Sequence, residues 1–212
     1  MGQRSQIYVR YNGKLILARY YQWNYGERMI SRARYGIEYL KYYVDHGYDF
    51  VFRSAHDIEK MVRIFDTNFD MKDVQISSDI FKEWECEVAN WEAEGCDYAL
   101  EFYGYVFAGQ DNNDGQLFVD IIGGDKDGNG AQIKYAFFSG DGYDEIMTAR
   151  EYMDWDNPGR DWQEPVPYMD EGAIKLCNEN IGAINDMAQL MTRRDVNSFL
   201  ATENYFGQPE PF

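Results

Sequence analysis

The sequence predicts an α+β fold, and three observations carry that expectation. The 212 residues are 45% hydrophobic and 17% aromatic, which is too apolar for the disordered class, whose segments bury too little surface to offset the entropy of ordering. Apolar and polar residues alternate in an opening hairpin, three later runs are β-rich, and elsewhere apolar residues recur at steps of three and four. Strands and helices therefore fall in blocks rather than in strict alternation, the pattern of α+β rather than α/β proteins. The length suits one sizeable core, so residues 1–212 read as a single domain. A subdivision into 1–95 (hairpin plus helices) and 96–212 (meander plus helices) stays open.

The first strand covers residues 5–11, where Ile7 and Val9 alternate with Gln6, Tyr8 and Arg10. Asn12-Gly13 follows, the pair a two-residue type I′ turn favours because both positions take positive φ, and residues 14–23 return. Met29, Ile30, Ala33, Ile37, Leu40 and Val44 mark a helix over 27–44, with Gly47 as its stop and 48–53 as an extended piece. Ser54 caps the next helix, with Asp57 placed to reach back to it and Ile58, Met61, Val62 and Phe65 as its apolar stripe. A third helix follows Ser78 and Asp79, with Ile80, Trp84, Val88 and Trp91 on one face and Glu83, Glu85, Glu87 and Glu92 on the other. Residues 98–107, 116–122 and 131–138 are β-rich and separated by Asp/Asn/Gly turns, so they read as an antiparallel meander. The spacing then predicts a short helix over 144–153, an irregular link over 158–167, a helix over 170–191, and a last helix over 195–205 capped by Asp195.

Charge divides the chain. Net charge is −17. Residues 1–44 hold eight basic and two acidic residues, a net of +6, so the remainder carries −23. Within it, residues 79–171 hold 23 acidic and five basic residues, punctuated by Trp84, Trp91, Trp155 and Trp162. The halves either attract each other in the fold or face different partners. An acidic surface repels nucleic acid and anionic lipid directly and is drawn to basic protein surfaces, including the nucleic-acid clefts of other proteins. Carboxylates steer such an encounter and aromatic rings anchor it. The candidate contacts are the acidic loops: Asp111 and Asp114; Asp125 and Asp127; Asp141, Asp144 and Glu145.

Catalytic and cofactor motifs are sparse. Residues 125–130 match the first half of a calcium loop, but the twelfth position, where a bidentate Glu belongs, is Ala136, and Asp, Asn and Gly are also what a hairpin turn wants. His46 and His56 do not combine with Cys86, Cys96 and Cys177 at any metal-ligand spacing, and the cysteines read as reduced thiols. Carboxylate pairs such as Glu83/Glu87 and Asp154/Asp156 keep open an alternative: a carboxylate-based, metal-dependent hydrolase. No cofactor is implied. The opening residues lack the apolar core of a signal peptide, and no stretch approaches the roughly 20 apolar residues of a membrane span, so a cytoplasmic location is expected.

The opening MGQRSQIYVRYNGKLILARYYQWNYG resembles the start of small proteins carried by phages and mobile elements, over about the first 30 residues. In size and acidity the chain is similar in general character to inhibitors of bacterial defence nucleases, the anti-CRISPR and antirestriction proteins, several of which mimic DNA. The resemblance implies a non-enzymatic protein of the bacterial host cytoplasm that blocks the basic groove of a CRISPR effector. A structural role in a mobile element is the further alternative.

Overall fold

The computed structural model describes residues 4–46, 54–74, 76–96, 100–111, 113–123, 131–156, 158 and 170–208. The predicted hairpin is present: β1 (Arg4–Tyr11) and β2 (Lys14–Gln22) turn through Asn12 and Gly13, with φ of 47° and 79°. Then come α1 (Glu27–Asp45), α2 (Ala55–Asp66), and the strands β3 (Thr67–Asn68), β4 (Asp73–Val74) and β5 (Ser77–Asp79). After α3 (Ile80–Glu94) the chain makes a π-helical turn (Gly104–Ala108) and the pair β6 (Gln116–Ile122) and β7 (Gln132–Phe138). It continues through α4 (Ala149–Asp156), α5 (Glu171–Met187), β8 (Gln189–Leu190) and α6 (Arg193–Leu200). The class is α+β.

Six strands form one mixed sheet in the order β5-β2-β1-β6-β7-β8, and β3 pairs with β4 in a separate two-stranded arm. The sheet draws strands from both sides of residue 95. The joint is the parallel pairing of β1 with β6, which sets Ile7 beside Leu117, Tyr8 beside Phe118, Val9 beside Val119 and Arg10 beside Asp120. Because side chains alternate across a strand, Ile7, Val9, Leu117, Val119 and Phe137 face a first layer built from α1, α2, α4 and α5. Tyr8, Phe118, Ala136 and Phe138 face a second layer containing α3, the π-helical turn and α6. Both sheet faces are covered, which is why β1 and β6 are buried along nearly their whole length.

This parallel joint overturns the expected meander. Residues 116–122 and 131–138 do pair antiparallel, but the place expected for a third strand beside β6 is taken by β1. From Phe102 onward this segment is helical instead: Val106 and Phe107 are buried over the second sheet face, and the Tyr8 hydroxyl donates to the Val106 carbonyl at 2.6 Å. An aromatic-rich segment suits a strand and a buried helical turn equally, and the partner decides.

Other boundaries shift for local reasons. The helix expected at 144–153 begins only at Ala149, because Met147 first exchanges two backbone hydrogen bonds with Phe137. α5 starts where expected, with Asp170 as its cap, but ends at Met187, where Ala188 turns extended and Gln189–Leu190 pair parallel with β7. The cap of α6 is Thr192, not Asp195. Asp195 is its reciprocal partner in a capping box, so the helix starts two residues earlier. Ser54 accepts from the Asp57 amide as expected. The expectations for Gly47 and for residues 48–53 lie outside the described residues.

Candidate acidic interface

Most cations of the basic N-terminal segment are paired within the molecule, and Arg10 and Arg32 are buried in it. Arg10 donates Nε and Nη2 to the two oxygens of Asp120 at 2.9 and 2.6 Å, donates Nη1 to the Ser198 carbonyl and the Thr202 hydroxyl, and lies over the Phe199 ring. Arg19 forks onto Asp66, Arg28 pairs with Asp73, and Arg4 pairs with Asp111. Arg34 and Lys41 pair one turn along α1 with Glu38 and Asp45. Arg32 is fully buried, with Nε on the Asn24 side chain, Nη1 on the Phe65 carbonyl and its plane over Tyr21. Burial lowers its guanidinium pKa, while Tyr21, Asp66 and Asp73 pull the other way. The +6 of the first 44 residues is thus largely neutralised within the fold.

The acidic residues anticipated as contacts fall in three environments. Asp111 is exposed but paired with Arg4. Asp114 is only 9% exposed and accepts the Arg4 amide; burial raises its carboxyl pKa against that hydrogen bond. Asp125 and Asp127 lie outside the described residues, as does the half calcium loop that contains them. The described ends of that connection, Gly123 and Ala131, leave the sheet at the end opposite Gln116 and Phe138. Asp141, Asp144 and Glu145 are exposed and have no ion pair among the described residues. Their loop is pinned from beneath: Tyr143 packs on Phe118 and Phe138, each at 5.2 Å, donates its hydroxyl to the Phe107 carbonyl, and Arg193 holds the Tyr143 and Asp144 carbonyls.

The larger uncommitted acidic surface is α3. Asp79 caps it by accepting from the Phe81 and Lys82 amides, and Gly95 ends it with φ of 67°. Only Ile80 and Phe81 are buried; Glu83, Trp84, Glu85, Glu87 and Val88 are half-buried, and exposed residues dominate only from Ala89 onward. At about 100° per residue, Glu83, Glu87 and Glu94 fall within about 40° of one another, and Glu85 and Glu92 lie on the opposite side of the helix. Between these stripes runs a half-buried apolar one of Trp84, Val88 and Trp91. Trp84 seats it against Phe102 at 5.4 Å and Tyr105 at 5.7 Å. Glu83, Glu87, Glu92 and Glu94 have no ion pair among the described residues. Burial raises the Tyr105 phenol pKa, and Glu83 and Glu87 raise it further. The π-helical turn therefore contacts both α3, through Trp84 and Tyr105, and the 141–145 loop, through the Tyr143 hydroxyl on the Phe107 carbonyl.

At the base of α3 a cavity of about 380 Å³ opens towards α2. Its apolar wall includes Ile16, Leu17, Ala18, Ile58, Val62 and Phe81, and its rim carries Glu59, Asp79, Lys82 and Glu85. Of these, Ile58 and Val62 belong to the apolar stripe expected of α2, and a cleft between two layers has no signature in either helix. A separate exposed apolar group, Trp23, Val74 and Ile76, at 51, 74 and 68% exposure, surrounds the Arg28–Asp73 pair. Trp23 sits there at a φ of 62°, a backbone region bulky residues rarely take.

Among the described residues, no group of three or more His, Cys, Asp or Glu converges to hold a metal ion. Cys86 and Cys96 are exposed free thiols and Cys177 is buried. No described helix is long and apolar enough to cross a membrane. No protein-family model, curated protein or solved structure matches the chain.

Proposed function

We propose that the protein is a non-enzymatic inhibitor that docks into the basic nucleic-acid groove of a bacterial defence nuclease, of the CRISPR-effector class, and keeps DNA out. One observation carries this reading: Glu83, Glu87, Glu92 and Glu94 of α3 have no ion pair among the described residues, while nearly all cations of the basic segment are committed internally. The field that reaches a partner is therefore more uniformly negative than the sequence polarity suggests. Such a field speeds encounter with a basic groove, and its effect falls with salt over a Debye length of about 8 Å at physiological ionic strength. α3 adds what charge alone lacks, a helix with carboxylate stripes on opposite sides of a half-buried tryptophan-bearing strip. The loop at Asp141, Asp144 and Glu145 adds exposed carboxylates across the π-helical turn. The loops at Asp111 and Asp125/Asp127 become secondary candidates, the first for its pairing with Arg4.

The test is direct competition. Purified CRISPR-effector nucleases are mixed with labelled duplex DNA at about 50 mM salt and titrated with the protein. The reading expects displacement of DNA that weakens steeply with salt. Replacing Glu83, Glu87, Glu92 and Glu94 with Gln should weaken displacement at least tenfold with the melting temperature retained. Failure to displace DNA from any effector tested, or displacement unchanged by the replacement, sinks the reading.

A further inference from the structure

We infer that the sheet edge at β5, with the exposed apolar group beside it, is the surface on which a second copy of this chain docks, the two β5 strands pairing antiparallel about a two-fold axis at Ser77. The inference stands apart from the docking onto a nuclease and concerns a different part of the surface.

β5 is the last strand of the six-stranded sheet, with β2 on its inner side. Its register sets Tyr21 beside Ser77 and Tyr20 beside Ser78, and the Gln22 amide donates to the Ile76 carbonyl at 3.0 Å. Main-chain groups in an antiparallel pair point alternately towards and away from the neighbouring strand. Ile76 and Ser78 therefore turn theirs towards β2, and Ser77 turns its amide and carbonyl outward, where no described residue bonds them. Natural sheets guard such an edge with lysine, proline or a bulge. Ile76, Ser77 and Ser78 supply none of these, and all three are at least partly exposed.

Beside the edge, Val74, Ile76 and Trp23 are 74, 68 and 51% exposed and line one shallow cleft. Contiguous apolar surface of this kind marks a protein interface. Two residues next to it, Trp23 and Lys72, hold positive φ of 62° and 55°, and such strain persists where the surrounding structure enforces it, as at binding surfaces. Charge selects the occupant. The only charged residues lining the cleft are Arg28 and Asp73, which pair with each other, and the one carboxylate of β5, Asp79, caps α3. A basic groove finds no uncommitted carboxylate here. Two copies at −17 repel each other at long range, and they approach with least cost where the surface is locally neutral. A two-fold interface must also be complementary to itself, and this edge is. Ser77 exchanges two main-chain hydrogen bonds with the same residue of the second copy, and the two Ile76 side chains meet diagonally on one face, about 7–8 Å apart.

The test is sedimentation equilibrium of the full chain from about 5 to 500 µM, at about 0.05 and 0.5 M NaCl. A reversible monomer–dimer equilibrium is expected that tightens severalfold at the higher salt, because salt screens the repulsion between the two copies. That is the opposite sign to a charge-driven contact with a basic groove. Ile76→Asp should weaken dimerisation at least tenfold, with the melting temperature of the dilute, monomeric chain unchanged, as for other exposed positions. Hydrogen exchange at the Ser77 amide should slow at the high protein concentration. A chain that stays monomeric at about 500 µM in about 0.5 M salt, a dimer unaffected by Ile76→Asp, or unchanged exchange at Ser77 overturns the inference. So does a monomer whose Ile76→Asp variant no longer displaces DNA from an effector, which would assign the patch to the effector instead.

Discussion

An arginine alternating with apolar residues along a strand reads as facing water, and Arg10 does the reverse. Its register in β1 puts it beside Asp120 of β6 on the second sheet face, where α6 covers both. That pairing spans 110 residues and no local pattern announces it. Breaking a buried pair from one side strands a charge, so Asp120→Ala should cost about 3–5 kcal/mol in urea denaturation, whereas Arg10→Met with Asp120→Leu should recover most of the loss. Asp195 makes a milder case. Burial raises its carboxyl pKa, but Lys134 at 2.8 Å and the Thr192 hydrogen bonds outweigh that and hold it at about 2. A depressed folded-state pKa contributes stability above the ordinary carboxylate value and loses it as pH falls, here between about 4 and 2. Asp195→Asn should flatten the acid limb of the stability–pH curve in that window, an effect on the order of 1 kcal/mol after solvent screening.

Elements with local signatures were legible. Asn12-Gly13, the Ser54 cap, and the 3.6-residue periodicity of α1 and α5 announced a hairpin and three helix positions because each depends on neighbours in sequence. What failed was set by distant partners: β1 took the strand position beside β6, and 102–108 became helical over Tyr8 and Phe107's neighbours. Helix crossings were equally invisible. Gly36 lets the Phe65 ring of α2 pack against the backbone of α1, and a methyl there would overlap that ring. Gly36→Ala should therefore destabilise by about 1–3 kcal/mol despite the better helix propensity of alanine, and Phe65→Leu in the same chain should return part of it. Loss of the α6 cap in Thr192→Ala should cost about 1 kcal/mol by the same denaturation measurement.

At the scale of the molecule, a +6 start and a −23 remainder suggested two faces, and the fold folds one onto the other. The acidic character of α3 was legible, since its glutamates follow a helical face. The exposure of its outer turns was not, because it depends on what fails to cover them. The acidic loops were legible as turns but not as a surface: Asp114 is inside, and Gly123 and Ala131 lead off the far end of the sheet. Relief of like-charge repulsion means the four-glutamine variant of α3 should melt at the same temperature as wild type or slightly above it at low salt.

That variant also gives the most direct test of the central claim, that the uncommitted carboxylates of α3 bind a basic nucleic-acid groove. The measurement is DNA displacement from a CRISPR-effector nuclease by wild type and by the Glu83, Glu87, Glu92, Glu94→Gln chain, each at about 50 and 200 mM salt. The account predicts displacement by wild type that collapses at the higher salt and at least a tenfold weaker effect of the variant at the lower. Equal displacement by the two chains, or none by wild type at 50 mM salt, would contradict it.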